Sequence, residues 1–249
     1  MQDYLLRKYN EQIKTTTEII EDYLRMNPNI NKNTVIWNLN ELVKKNLITR
    51  LGRGIYYFSG TSKMEFSTNV YVDVQKVIRL IKAKFKYVDI VIEDSKWFAD
   101  YIVQQPFSTV VKIEVNEPAV EAVVDYLRKN GIEAFSCEDL DYADKYFNGV
   151  RMFVIDKIRF NNPVNKINKN FSIAKIEKIM VDIVCDDDIF KQYQGWELEN
   201  FYNNVTDKCL VNFSTIIRYA ASRGRKEEIV SLLRDNVEYK LFLGEKVYD

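Results

Sequence analysis

The residues best suited to contact chemistry lie between Lys32 and Arg53. Lys32, Asn33, Thr34, Trp37, Asn38, Glu41, Lys44 and Lys45 fall on what the spacing makes the polar face of one helix, and Arg50 and Arg53 follow in a basic turn. Asparagine pairs bidentately with adenine, and threonine reaches base edges or a thymine methyl. Lysine and arginine hold phosphates. Thr34 and Asn38 are therefore the expected base readers, with Lys32, Lys44, Arg50 and Arg53 on the DNA backbone. The alternative is a solvated helix face that mediates protein contacts.

Other chemistries find less support. The chain has no histidine, which removes the commonest general base, the histidine-assisted serine and cysteine nucleophiles, and most zinc sites. Carboxylates and lysines remain, so enzymes that use them stay open. Asp89, Glu93 and Asp94 flank a strand in the manner of nucleotidyltransferase acids. Those sites also need a Gly-Ser element before the first acid, and none precedes Asp89. Asp186-Asp187-Asp188 could meet a hard cation but lacks EF-hand spacing, and the simpler expectation is a solvated run ending a helix. Glu138, Asp139 and Asp141 read as loop residues. Arg218, Arg223, Arg225 and Lys226 form a second basic cluster, suited to nucleic acid, to an acidic partner, or to a helix C-terminus whose dipole favours cations. No Walker loop, dinucleotide fingerprint or metal-ligand cluster is present. The expectation is a non-enzyme without cofactor or metal.

The elements that must position the first cluster can be read from the pattern. Asn31 suits an N-cap. After it Val35, Leu39 and Leu42, with Ile36 and Val43 beside them, recur at helical spacing, and Asn46 ends the run. Residues 47–50 and 55–58 read as strands joined by Leu51-Gly-Arg-Gly54. Residues 2–12 and the stretch after Thr15-Thr16-Thr17-Glu18 give two earlier helices, the second broken near Pro28. Three helices and a basic hairpin in about sixty residues make the pattern of a winged helix-turn-helix, whose helix lies in the major groove. Residues 59–69 are small and polar and read as a linker. Beyond it helices and strands alternate: a helix over 74–85, strands at 87–92 and 109–115, a helix between, another opened by Pro118 and closed by Gly131, and strands at 132–137 and 150–158. Helices follow from Ile176, Trp196, Phe213 and Glu227, and 241–249 is either a strand or a tail. The fold class is α+β, with a winged helix-turn-helix over 1–62 and a mixed α/β domain with a helical end over 70–249.

Composition agrees with a globular protein: 47% of the 249 residues are hydrophobic and 29% charged, ordinary values for a soluble domain. No apolar run approaches a membrane span, the N-terminus lacks signal-peptide character, and Cys137, Cys185 and Cys209 are too few and scattered for a disulfide framework. Cytoplasmic location, without a membrane partner, is the expectation. Net charge is zero, yet residues 1–62 carry nine Lys/Arg against six Asp/Glu, and residues 31–58 carry five against one. Positive charge is concentrated on the proposed reading element, as phosphate contact requires.

Several stretches together resemble one family. TVIWNLNELVKKNLITRLGRGIYYF is similar to the winged-helix domain of the antitoxins of abortive-infection AbiE-type (type IV) toxin–antitoxin systems. VDIVIEDSKWFADYIVQQPFSTVVKIEVNEPAVEAVVDYL resembles their α/β core, and IAKIEKIMVDIVCD with NFSTIIRYAASRGRKEEI resembles their helical end. The match covers nearly the whole chain and is weakest over 134–172. The resemblance implies a non-enzymatic antitoxin and transcriptional autorepressor. Its partners would be double-stranded DNA, the operator of its own operon, and a nucleotidyltransferase-like toxin encoded alongside. The other reading is a winged-helix regulator whose second domain senses a ligand or mediates oligomerisation, with no toxin.

Overall fold

The computed structural model describes residues 1–10, 12–45, 47–58 and 63–244, excepting the side chains of residues 144, 146 and 241. It is a mixed α/β structure with two hydrophobic cores. Asn46 as helix end, residues 59–62 of the expected linker and residues 245–249 of the expected tail lie outside the described residues.

The N-terminal part runs α1 (Gln2–Lys8), β1 (Ile13–Thr15), α2 (Thr16–Met26), α3 (Lys32–Lys44), β2 (Thr49–Gly52) and β3 (Ile55–Tyr57). Local chemistry sets the helix starts. Thr15 caps α2 through a capping box with Glu18, and the Asn31 side chain accepts from the Asn33 amide at the start of α3; each such cap contributes roughly 1 kcal/mol. Between α1 and α2, Asp22 accepts from Lys8 and from the Tyr9 hydroxyl, both at 2.8 Å. The Lys8 bond is the largest cause holding the Asp22 carboxyl below its usual range. Leu5, Tyr9, Ile19, Val35, Leu39, Leu42, Ile48, Tyr56 and Phe58 form the smaller core.

Strand β1 has no counterpart in the sequence reading. At three residues with mixed burial it carries no alternation signal of its own. It adds to the hairpin to give the antiparallel order β1-β3-β2. Along β3 the side chains alternate, as strand geometry requires. Tyr56 and the following Phe58 enter the smaller core, while Ile55 and Tyr57 pack on the larger one with Ile13. Leu51, fully buried, belongs to the larger core as well.

The rest is organised on a six-stranded mixed sheet of order β6-β7-β5-β4-β9-β8. Helix α4 (Val72–Lys84) precedes β4 (Ile90–Asp94), which a 3-10 segment (Ser95–Tyr101) links to its antiparallel partner β5 (Thr109–Val115). Then come α5 (Val120–Lys129), β6 (Ala134–Ser136), α6 (Leu140–Tyr146) and β7 (Arg151–Lys157), with β5, β7 and β6 mutually parallel. The hairpin of β8 (Val164–Lys166) and β9 (Ser172–Ala174) joins the sheet through β9, parallel to β4. Helices α7 (Ile176–Cys185), α8 (Trp196–Lys208), α9 (Phe213–Ser222), α10 (Lys226–Leu233) and α11 (Val237–Phe242) complete the body.

Three expectations need correcting. The helix expected over 96–103 is a 3-10 segment. Asp141, expected in a loop, lies in α6, and Glu138 and Asp139 lie in the 3-10 turn before it, while β8 and β9 are strands where none is expected. Residues 63–69 are held rather than loose: Met64 bridges to Cys209, Lys63 pairs with Glu238 at 2.5 Å, and Trp97 Nε1 donates to the Asn69 carbonyl at 2.9 Å. Among the described residues no helix is long and apolar enough to cross a membrane.

Candidate nucleic-acid interface

Helix α3 turns Val35, Asn38, Leu39 and Leu42 inward. The opposite side carries Asn33, Trp37, Asn40 and Lys44, spaced i, i+4, i+7 and i+11, all exposed. They form one stripe along the helix. Trp37 is 59% exposed and Ile36, beside it, 37%. Lys32 and Thr34 are exposed in the first turn, and Lys32 has no hydrogen-bond or ion-pair partner among the described residues. Lys44 reaches back to Glu41 at 2.7 Å but stays 73% exposed, a pairing that water and phosphate can replace at little cost. Lys45 donates to Gln2 Oε1 at 2.9 Å.

Asn38 is not on this face. It is 9% exposed; its Nδ2 donates to the Thr34 carbonyl at 2.8 Å and its Oδ1 accepts from Gln2 Nε2 at 3.3 Å. The assignment of Asn38 as a base reader is therefore corrected. Its amide joins α1 to α3, and leaving that amide unpaired inside would cost about 1–3 kcal/mol. Asn40, which the sequence reading passed over, takes its place on the stripe. The signal was available: with Val35, Leu39 and Leu42 inside, position 38 lies among them and position 40 opposite.

The hairpin presents two arginines. Arg53 is exposed at the turn, where Gly54 takes a φ of 74° that favours glycine, and its side chain has no partner among the described residues. Arg50 is exposed, with Nε donating to the Gly52 carbonyl at 3.2 Å and the guanidinium 6.0 Å from the Tyr56 ring. Behind the turn, the Gly54 carbonyl accepts from the Thr16 amide at 2.8 Å, tying the hairpin to the start of α2.

The second basic cluster separates. Arg218, Arg225 and Lys226 are exposed, Arg225 with Glu228 at 2.9 Å. Arg223 is corrected: it turns inward, donating to Asp182 and Asp186, both at 2.6 Å. The solvated-run reading of Asp186 falls with it. Asp186 is half-buried, its side chain 7% exposed and 2.5 Å from Lys112; Asp187 and Asp188 are exposed.

These contacts belong to a buried charge network that sequence reading missed. Glu93 pairs in register with Lys112, and Glu114 with Asp156, so all four share one sheet face. Helix α7 lays Lys178 and Asp182 over that face, and α9 adds Tyr219 and Arg223. Lys112 reaches Asp182 at 2.9 Å and Glu114 at 3.0 Å. Lys178 reaches Glu114 at 2.9 Å, Glu93 at 3.3 Å, and Asp182. The Tyr219 hydroxyl donates to Asp182 at 2.9 Å. Burial alone would raise the Asp182 carboxyl, but the charges of Lys112, Lys178 and Arg223 outweigh it and hold the group far below the usual range. Glu93 goes the other way. Burial dominates, Lys178 opposes it only in part, and the carboxyl is pushed up to about 8.

The network does not gather a set of carboxylates around open space. Glu93 faces Lys178, Asp94 binds Arg151 and caps the Lys96 amide at 3.0 Å, and Asp89 sits exposed at the strand end against Asn116. Among the described residues no group of histidine, cysteine and acidic side chains has a metal-holding arrangement.

A family model described as a family of unknown function (DUF6577) matches residues 34–239. The match runs from the first turn of α3 into α11, so it takes in the exposed stripe from Trp37 to Lys44, the hairpin and the whole charge network. No curated protein matches the chain.

Proposed function

The chain belongs to the DUF6577 family, and for it we propose a DNA-reading, non-enzymatic role. Residues 1–62 act as a winged helix-turn-helix. Helix α3 lies in the major groove, with Asn33, Thr34 and Asn40 nearest base edges, Trp37 against an apolar base surface, and Lys32, Lys44, Lys45, Arg50 and Arg53 holding phosphates. The observation that carries this reading is the stripe of α3: an exposed, polar, base-suited face with a free lysine at its start and free arginine charge on the adjoining hairpin. The order helix, strand, helix, helix, hairpin, with the first strand pairing to the last, also fits winged-helix connectivity. Through the resemblance of its segments to AbiE-type antitoxins, the chain is read as a cytoplasmic antitoxin that represses its own operon and opposes a nucleotidyltransferase-like toxin.

The test is binding of a labelled duplex from the region upstream of its own gene, measured across a salt series. The affinity should fall log-linearly with salt, by roughly 0.9 per phosphate neutralised. Arg53→Ala should flatten the slope by about one unit, and Asn40→Ala should reduce preference over mixed-sequence DNA. No binding at low salt, or binding indifferent to salt, would remove the DNA reading. Growth rescue on co-expression with a neighbouring nucleotidyltransferase-like protein tests the antitoxin half separately.

A further inference from the structure

The hairpin does not project freely into solvent. An added Cβ at Gly52 would lie 2.5 Å from Ser214 Oγ and 2.7 Å from the Phe242 ring, and the Arg53 amide donates to Ser214 Oγ at 3.4 Å. The tip of the proposed wing thus rests on the first turn of α9. Arg218 follows Ser214 by four residues on the same helix, which puts both on one face about 6 Å apart along the axis. It is exposed, and it has no hydrogen-bond or ion-pair partner among the described residues. Arg53, whose amide meets Ser214, is likewise exposed and without a side-chain partner among the described residues. Residues 213–226 contain Arg218, Arg223, Arg225 and Lys226 and no Asp or Glu, so no carboxylate in this segment competes for the guanidinium.

We propose that the duplex contact continues from the hairpin onto α9, with Arg218 holding a phosphate from outside the three-helix unit. This rests on the DNA reading above. The geometry suits a nucleic-acid backbone: phosphates of one strand recur about every 3.4 Å along the duplex axis, so the interval between the hairpin tip and Arg218 spans roughly two of them. The contact reads no sequence. It lengthens the footprint on the wing side and makes the body of the protein part of the DNA-binding surface.

The experiment compares full-length wild type with Arg218→Ala, Arg53→Ala and the control Lys129→Ala, whose side chain lies exposed at the end of α5. Each is titrated against the upstream duplex and a mixed-sequence duplex over a salt series, and hydroxyl-radical footprints are taken on the upstream duplex. Arg218→Ala is expected to weaken both duplexes about equally, on the order of tenfold, to reduce the salt slope by about one, and to lose protection of the sugars of a few nucleotides at one edge. If Arg53→Ala shows these losses while Arg218→Ala matches Lys129→Ala in affinity, slope and footprint, the extension onto α9 is wrong and the DNA reading stands. If wild type binds neither duplex, both fall.

Discussion

Glu93 offers the sharpest test of how the body is held together. Its carboxyl is 1% exposed, Oε2 lies 3.3 Å from Lys178 Nζ, and Oε1 has no hydrogen-bond partner. By formal charge, Lys112, Lys178, Arg223 and Arg159 already balance Glu114, Asp182, Asp186 and Asp156, so an ionised Glu93 is the surplus anion. Its folded pKa of about 8 lies above the ordinary 4.5, so the folded state keeps a proton that the unfolded chain releases. The stabilisation from holding that proton is complete below pH 4.5 and is lost as pH rises towards 8, at up to about 1.4 kcal/mol per pH unit. Glu93→Gln keeps the shape and cannot ionise. Urea unfolding of both proteins between pH 5.5 and 8 should show the variant gaining on wild type as pH rises, by up to roughly 3 kcal/mol across the window. The difference cancels the contributions of the other carboxylates. A constant difference across this range, or one favouring wild type at pH 8, would refute the protonated Glu93.

Other substitutions probe separate parts of the structure. Asp182→Asn leaves Lys112 and Lys178 buried against too little negative charge and should cost about 3–5 kcal/mol in urea unfolding; a loss under 1 kcal/mol would show that the network relaxes easily. Asn38→Ala should cost about 1–3 kcal/mol of stability while sparing base discrimination. Asn40→Ala should do the reverse, losing about 1–3 kcal/mol of discrimination in competition binding with no shift in thermal midpoint. If the two exchange effects, the orientation of α3 is wrong. Gly52→Ala forces its Cβ into Ser214 and Phe242, an overpacking worth about 1–3 kcal/mol, and its thermal midpoint should drop by several degrees.

What the sequence disclosed followed the range over which its signals act. Helix α3, with its Asn31 cap and its Val35–Leu39–Leu42 side, was legible because cap and periodicity are local. So was β5, where Val111, Ile113 and Val115 alternate with Lys112 and Glu114. Strand β1 was not, because its three residues become a strand only by pairing with β3 some forty positions on. The same holds for β8 and β9, short pieces whose partners decide them. Misplacing Asn38 came from reading residue type ahead of the helical phase the neighbouring leucines had fixed. The charge network escaped notice for a different reason. Lys178 and Asp182, four apart on a helix, look like a solvated pair, and only Lys112 and Glu114 from β5 and Arg223 from α9 make their burial tolerable.

The β1-β3-β2 sheet is a party wall. Tyr56 and Phe58 furnish one side of it, and Ile13, Leu51, Ile55 and Tyr57 the other. The N-terminal part cut away at residue 62 would carry a naked apolar face where the body had been, and the body would lose the surface that Ser214 and Phe242 rest against. Such a protein is not a cassette that can be spliced onto a foreign partner by its linker alone. Any transplant of the DNA preference proposed for it must be made by repainting the outer stripe of α3 and leaving the masonry behind it intact.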